Sequence, residues 1–262
     1  MTILVAGAAS AVGKNTISAG LIRLMRDSGL HPVPFKALSI ESLPLESGLE
    51  ITPSICIQSQ AAGIIPSHNL NPIRVIFSPD GETVRHYISG ALAERESCLL
   101  EMKDQITACL EKAQLQGSVV FEGTGGISDA YGSKVFQPII EEAVSSIILV
   151  ADSLNGGAFA SIVGTLELMP ARWLNRVEAV IVNRLAGLPW EDPLPKWKEY
   201  LQARYGIDTV TCFPTIHTLS AMSEDRWPMQ SIDKIEQEIC YVAETLKVRL
   251  GSSFDSILDH KI

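Results

Sequence analysis

The stretch Ala6-Gly7-Ala8-Ala9-Ser10-Ala11-Val12-Gly13-Lys14-Asn15-Thr16 decides the fold of this chain. It follows the apolar run 2–6 and leads into residues 16–26, whose apolar positions have helical spacing. Small residues between a strand and a helix let backbone N–H groups close around a phosphate. The helix N-terminus adds partial positive charge there, and a lysine neutralises terminal phosphate oxygens. Against the pattern G-x-x-x-x-G-K-[ST], the first glycine sits one residue early at Gly7. Asn15 stands where a hydroxyl would hold Mg²⁺, and Thr16 follows it.

Outward from this turn, apolar β-branched runs recur at 118–121, 146–151, 177–182 and 209–213, with a helical stretch at 158–169. Runs apolar on both faces belong in the middle of a parallel sheet, and their alternation with helices predicts an α/β sandwich. The expected fold is P-loop NTPase-like, with a mostly parallel central sheet and helices on both faces. Residues 96–116 and 232–250 read as long amphipathic helices. A single P-loop domain over 1–250 is expected, with 251–262 a weakly held tail. Between 38 and 95 the rhythm breaks at Pro44, Pro53, Pro66, Pro72 and Pro79, which predicts an irregular excursion on the substrate side. A second irregular loop is expected at 187–195.

Composition limits the function. The chain has 262 residues, 46% hydrophobic, enough for a large core without disulfides. Its 21 Lys+Arg against 30 Asp+Glu give a net charge of −9, which disfavours nucleic acid as a partner. The five cysteines, Cys56, Cys98, Cys109, Cys212 and Cys240, form no C-x-x-C pair. Neither a zinc site nor a disulfide framework is suggested, and a reduced cytoplasm is expected. No leader or membrane span is read from the sequence.

Several motifs resemble the ATP-binding domain of cobyric acid synthase and its relatives, which include cobyrinic acid a,c-diamide synthase and dethiobiotin synthetase. They are Gly7 with Ser10 and Gly13-Lys14, then Pro34-Phe35-Lys36, Gln58 with Ala61-Ala62-Gly63, and Asn71-Pro72. Further along come Val120-Phe121-Glu122-Gly123-Thr124-Gly125-Gly126, the run from Asn155-Gly156-Gly157 to Gly164-Thr165-Leu166, and Ile181-Val182-Asn183-Arg184.

The resemblance implies ATP and Mg²⁺ as cofactors, with Gly7, Ser10, Val12, Gly13, Lys14, Asn15 and Thr16 at the phosphates and Asn183 in the segment that contacts adenine. It implies that Lys14 grips the β- and γ-phosphates, that Lys36 lies near the acceptor, and that Glu50 and Glu122, with Thr16, hold the metal. Two carboxylates with phosphate oxygens and waters suit the octahedral shell of Mg²⁺. The implied reaction is phosphorylation of a carboxylate on a small-molecule substrate, a tetrapyrrole, for amide formation. Cyclisation of a carbamate, as in dethiobiotin synthetase, is the alternative enzyme reading, and a nucleotide-binding regulator without turnover is the non-enzymatic one.

The chain departs from the family on the acceptor side. Pro53-Ser54-Ile55 replaces Arg-Ala-Gln, and Ile73-Arg74-Val75 stands where the family continues toward a lysine. No cysteine lies in a G-x-C-x-G turn, so the nitrogen is expected from free ammonia or a separate glutaminase subunit. A homodimer is expected from the resemblance.

Overall fold

The computed structural model describes residues 1–42, 51–78, 84–93, 98–154, 156–185, 192–214 and 231–259. Its main sheet has six strands in the order β10-β9-β8-β1-β7-β2, and every neighbouring pair is parallel. These strands are β1 (Thr2–Gly7), β2 (Pro32–Phe35), β7 (Ser118–Glu122), β8 (Ser146–Asp152), β9 (Val177–Asn183) and β10 (Thr209–Phe213). β1 lies at the centre, with Leu4 opposite both Phe121 and Ile147. After β1 the chain moves out to β2, and after β7 it crosses β1 to reach β8. The carboxyl end of β1 is therefore the switch point at which open parallel sheets collect ligands.

Alternation along β1 divides the core. Ile3 and Val5 join the cluster packed under α1 (Lys14–Asp27) and α8 (Ile232–Leu250), whereas Leu4 and Ala6 join the other face with Phe121, Ile140, Ile162 and Trp173. Helices cover both faces, as the alternation of runs predicts. α1 and α8 approach closely at Gly20, where a Cβ would stand 2.4 Å from Val242 Cγ1.

The expected irregular excursion is more ordered than its prolines suggest. β3 (Leu38–Ser42), β4 (Ile73–Phe77), β5 (Val84–Ile88) and β6 (Ala91–Ala93) form a second sheet in that order. β3 and β4 pair in parallel, and the other two pairs are antiparallel. Pro53 opens α2 (Pro53–Ala62), and Pro72 stands just before β4, so both prolines punctuate elements instead of breaking them. Asn71 ties the small sheet to the large one. Its Nδ2 donates to the Lys36 carbonyl at 2.8 Å, and its Oδ1 accepts from Ser39 Oγ at 2.9 Å. Beside it, Arg74 pairs with Glu41 at 2.6 Å, both side chains buried.

Two further boundaries differ from the sequence reading. Helix α3 (Cys98–Gln116) agrees with the helix expected at 96–116, whereas the expected tail contains α9 (Ser252–Asp259), whose Phe254 and Ile257 bury against the α1 face. α7 (Leu194–Tyr205) begins inside the loop expected at 187–195, of which 187–191 lie outside the described residues. The remaining helices are α4 (Phe136–Ala143), α5 (Ala158–Leu168) and α6 (Ala171–Leu174).

Candidate nucleotide and acceptor site

The turn after β1 is built from backbone that only small residues allow. A Cβ on Gly7 would lie 2.6 Å from the Ala9 carbonyl oxygen and 2.9 Å from Lys14 Nζ. Ala11 has φ 56°, and Gly13, at the N-cap of α1, has φ 93°. No side chain caps α1, and its first turn holds no acidic residue, so the partial positive charge of its terminus is not offset by a local carboxylate. Lys14 is buried, and its Nζ donates to the carbonyls of Gly125 at 2.9 Å and Ala9 at 3.3 Å. Ser10 is exposed at the loop tip, and Asn15 and Thr16 sit half-buried in the first turn of α1.

The ends of β8 and β9 hold the loop in this shape. Asn183 Nδ2 donates to the Val12 carbonyl at 2.8 Å, and a Cβ on Gly13 would come within 2.1 Å of that same nitrogen. The next residue, Arg184, donates Nη2 to the Ala11 carbonyl at 2.9 Å while its Nε and Nη2 grip the two Asp152 oxygens at 2.8 Å each. A bidentate guanidinium–carboxylate pair fixes direction as well as distance. Asn183, implied by resemblance to lie near adenine, is thus placed against the phosphate loop itself.

On the other side of the loop, polar side chains form a continuous chain in a buried setting. Lys36, directly after β2, places Nζ 3.0 Å from Glu122 Oε1 and 3.0 Å from Ser54 Oγ. Glu122, at the end of β7, also accepts from Gln58 Nε2, which donates in addition to Asn15 Oδ1 at 3.1 Å. Gln58 is fully buried, and its Oε1 has no protein partner among the described residues. Lys36 and Glu122 are 7% and 3% exposed, so their charges are compensated by each other and by these hydrogen bonds rather than by water. Nearby, burial pushes the Cys56 thiol up, with Arg74 opposing only in part, which keeps that sulfur protonated.

The structure therefore gathers Gly7, Ser10, Val12, Gly13, Lys14, Asn15 and Thr16 on one loop and helix start. Asn183 joins them through Val12, and Asn15 is linked through Gln58 to Glu122 and Lys36. Glu50 lies outside the described residues, as does Asn155. In the sequence Gln58 and Arg184 stand out only as parts of motifs and Asp152 only as a strand end; neither the bond from Gln58 to Glu122 nor the Asp152–Arg184 clamp is evident there. Ser54 and Gln58, four apart on α2, were the available signal, because such a pair shares one helical face. Nothing local announces the Gly125 carbonyl as the partner of Lys14.

A small-residue turn ending in Gly13-Lys14, at the switch point of a six-stranded parallel sheet, defines the class, a P-loop NTPase fold. The relatives narrow it further. The chain is 32% identical over 199 residues to cobyric acid synthase of Caldanaerobacter subterraneus subsp. tengcongensis, covering 71% of this chain and 39% of that protein. It is 34% identical over 212 residues to the probable cobyric acid synthase of Halobacterium salinarum, with 71% and 41% covered. Against the Desulfitobacterium hafniense enzyme the identity is 29% over 243 residues, with 85% and 45% covered. The chain belongs to the cobyric acid synthase family, and the part it shares is the ATP-binding domain. It spans about two fifths of the length of these curated relatives. No family model matches it. Among solved structures it is similar to MinD of Aquifex aeolicus, at 16% identity and TM-score 0.44 over 94% of this chain and 97% of that one. It is also similar to the signal recognition particle receptor FtsY of Elizabethkingia anophelis, at 15% and 0.48 over 92% and 64%. No described helix is long and apolar enough to cross a membrane.

Proposed function

We propose that this chain is the phosphoryl-transfer module of an ATP- and Mg²⁺-dependent amide ligase whose acceptor is a carboxylate of a tetrapyrrole. The observation that carries the reading is the largely buried chain Asn15–Gln58–Glu122–Lys36, which joins the first turn of α1 to a lysine at the carboxyl end of β2. A regulator that only bound nucleotide would have no evident use for a buried, charge-matched lysine at that distance from the loop.

Lys14 is already held by two carbonyl oxygens at the loop, and phosphate oxygens would replace these weaker acceptors on binding. The donor set also suits Mg²⁺. Asn15 Oδ1 and Glu122 Oε2 accept from the same amide nitrogen, Gln58 Nε2, so two hard oxygen donors of the kind Mg²⁺ prefers lie close together beside the loop and would become available once that amide turns aside. Asn15, Thr16 and Glu122 are the residues that would hold it, Asn15 through its amide oxygen in place of the usual hydroxyl. When bound, the ion neutralises charge developing on the phosphate oxygens.

The remaining work is positioning. Lys36, released from Glu122, orients the acceptor carboxylate and offsets its repulsion by the triphosphate. An acceptor oxygen forms a bond to the γ-phosphorus as the bond to ADP breaks, giving an acyl phosphate. A nitrogen nucleophile, from ammonia or a separate glutaminase subunit, then displaces phosphate. Calorimetric titration with ATP·Mg and an ADP-release assay with tetrapyrrole carboxylates and ammonia test the proposal. Acceptor-dependent ADP release, with Lys14→Ala weakening ATP binding about 100-fold, supports it; charged hydrogen bonds of this kind contribute roughly 1.5–3 kcal/mol each. Tight ATP binding without ADP release under any acceptor would favour the regulator.

A further inference from the structure

A cavity of about 130 Å³ lies against the phosphate loop, on the face of the sheet turned away from α1. Leu4, Phe121, Ile127, Phe136 and Ile140 make its walls apolar. Two of its wall residues, Gly7 and Gly125, belong equally to the nucleotide side. Gly7 leaves the space that Lys14 Nζ occupies, and the Gly125 carbonyl accepts from that ammonium. One lining residue is charged, Asp129. It is exposed, and its Oδ2 accepts from the Gly126 amide at 3.2 Å, which fixes the carboxylate beside the opening. The hydroxyl of Thr124, also in the lining, is already bonded to the Leu38 carbonyl.

These features specify a ligand. An engineered cavity of about 150 Å³ with Leu, Ile and Phe walls stays dry and takes up benzene. A wall of this kind recognises a compact apolar body, and a single fixed carboxylate at its rim selects a cation over an anion. We propose that the cavity is a subsite for a primary amine borne on a compact apolar body of about benzene size. The apolar body lies between Phe121, Phe136 and Ile140, and the ammonium meets Asp129. Because Gly7 and Gly125 form part of both sites, occupancy of the cavity is felt at Lys14. The proposal goes beyond the ligase reading and does not depend on it, since the ligand binds without ATP or acceptor.

Benzylamine serves as probe, with benzyl alcohol and benzoate as controls of the same shape, titrated by calorimetry and protein NMR into the full chain. The expected result is saturable benzylamine binding at millimolar concentration, weaker binding of benzyl alcohol, and none of benzoate. Asp129→Asn lowers benzylamine affinity about fivefold, the upper range for an exposed ion pair, and leaves benzyl alcohol unchanged. Ala130→Leu, at a half-buried wall position of a short 3₁₀ turn, fills the space and abolishes both. Absence of saturable benzylamine binding, equal binding of benzoate, or binding that survives Ala130→Leu in a folded variant overturns the proposal. ATP affinity measured in parallel is a separate readout, so loss of the nucleotide reading and loss of the amine subsite are distinguishable.

Discussion

Replacing Lys36 with Met tests whether the Lys36–Glu122 pair is a desolvated unit. The substitution removes the 3.0 Å contacts of Nζ to Glu122 and Ser54 and leaves the Glu122 carboxylate, 3% exposed, with Gln58 as its remaining side-chain donor among the described residues. Orphaning one member of a buried pair costs about 3–5 kcal/mol. The surviving Gln58 bond places this case near 3 kcal/mol. For a chain of this size each kcal/mol lowers Tm by about 2–4 °C, so a fall of about 6–12 °C is expected. The double variant Lys36→Met/Glu122→Leu removes both charges, and Gln58 keeps its bond to Asn15. Urea unfolding of wild type, both single variants and the double closes a cycle, whose expected coupling is at least about 2 kcal/mol, with most of the single-variant loss recovered. A single-variant cost under about 1 kcal/mol together with simple additivity would refute the reasoning, because it would mean water reaches the pair.

Gly13→Ala combines about 1–2 kcal/mol of left-handed backbone strain with a Cβ at 2.1 Å from Asn183 Nδ2, so the bond to Val12 breaks and ATP affinity measured by calorimetry falls more than tenfold. Gly20→Leu forces α1 from α8, because its Cβ meets Val242 Cγ1 at 2.4 Å. The expected loss is about 3 kcal/mol by chemical denaturation, partly recovered by adding Val242→Ala. Burial, aided by its bond to Glu167, pushes the Tyr205 phenol up to about 12, which holds the neutral form in the folded chain. Its stabilisation is complete below the ordinary tyrosine range near 10 and is lost as pH rises toward 12; Tyr205→Phe should flatten that slope, and phenolate absorbance should show one tyrosine titrating late.

The parts legible in the sequence are those governed by local rules. The strand–turn–helix around Lys14 is written in small residues, and α8 spans 232–250 as its periodicity predicts, with Ser231 Oγ accepting from the Lys234 amide as an N-cap. Lys36, Glu122 and Asn183 could be placed at strand ends because apolar runs stop there. Their partners could not, since Gln58 meets Glu122 across 64 positions and Arg184 meets Asp152 across 32. The second sheet escaped because its strands are five residues or fewer and carry Arg74, Arg85 and His86, and because prolines were read as breakers when two of them sit at element starts. α9 was hidden by a largely polar stretch, Ser252–Asp259, whose buried Phe254 and Ile257 are only three apart.

The clamp from Asn183 and Arg184 has a kinetic corollary. A glycine-rich turn left to itself would sample many shapes, and a ligand would have to select one before its amides could act together. Here two neighbouring side chains, braced by Asp152, keep the Ala11 and Val12 carbonyls tethered from behind. The loop is preorganised, so less ordering entropy is lost when a triphosphate arrives and encounter converts to capture without a slow rearrangement.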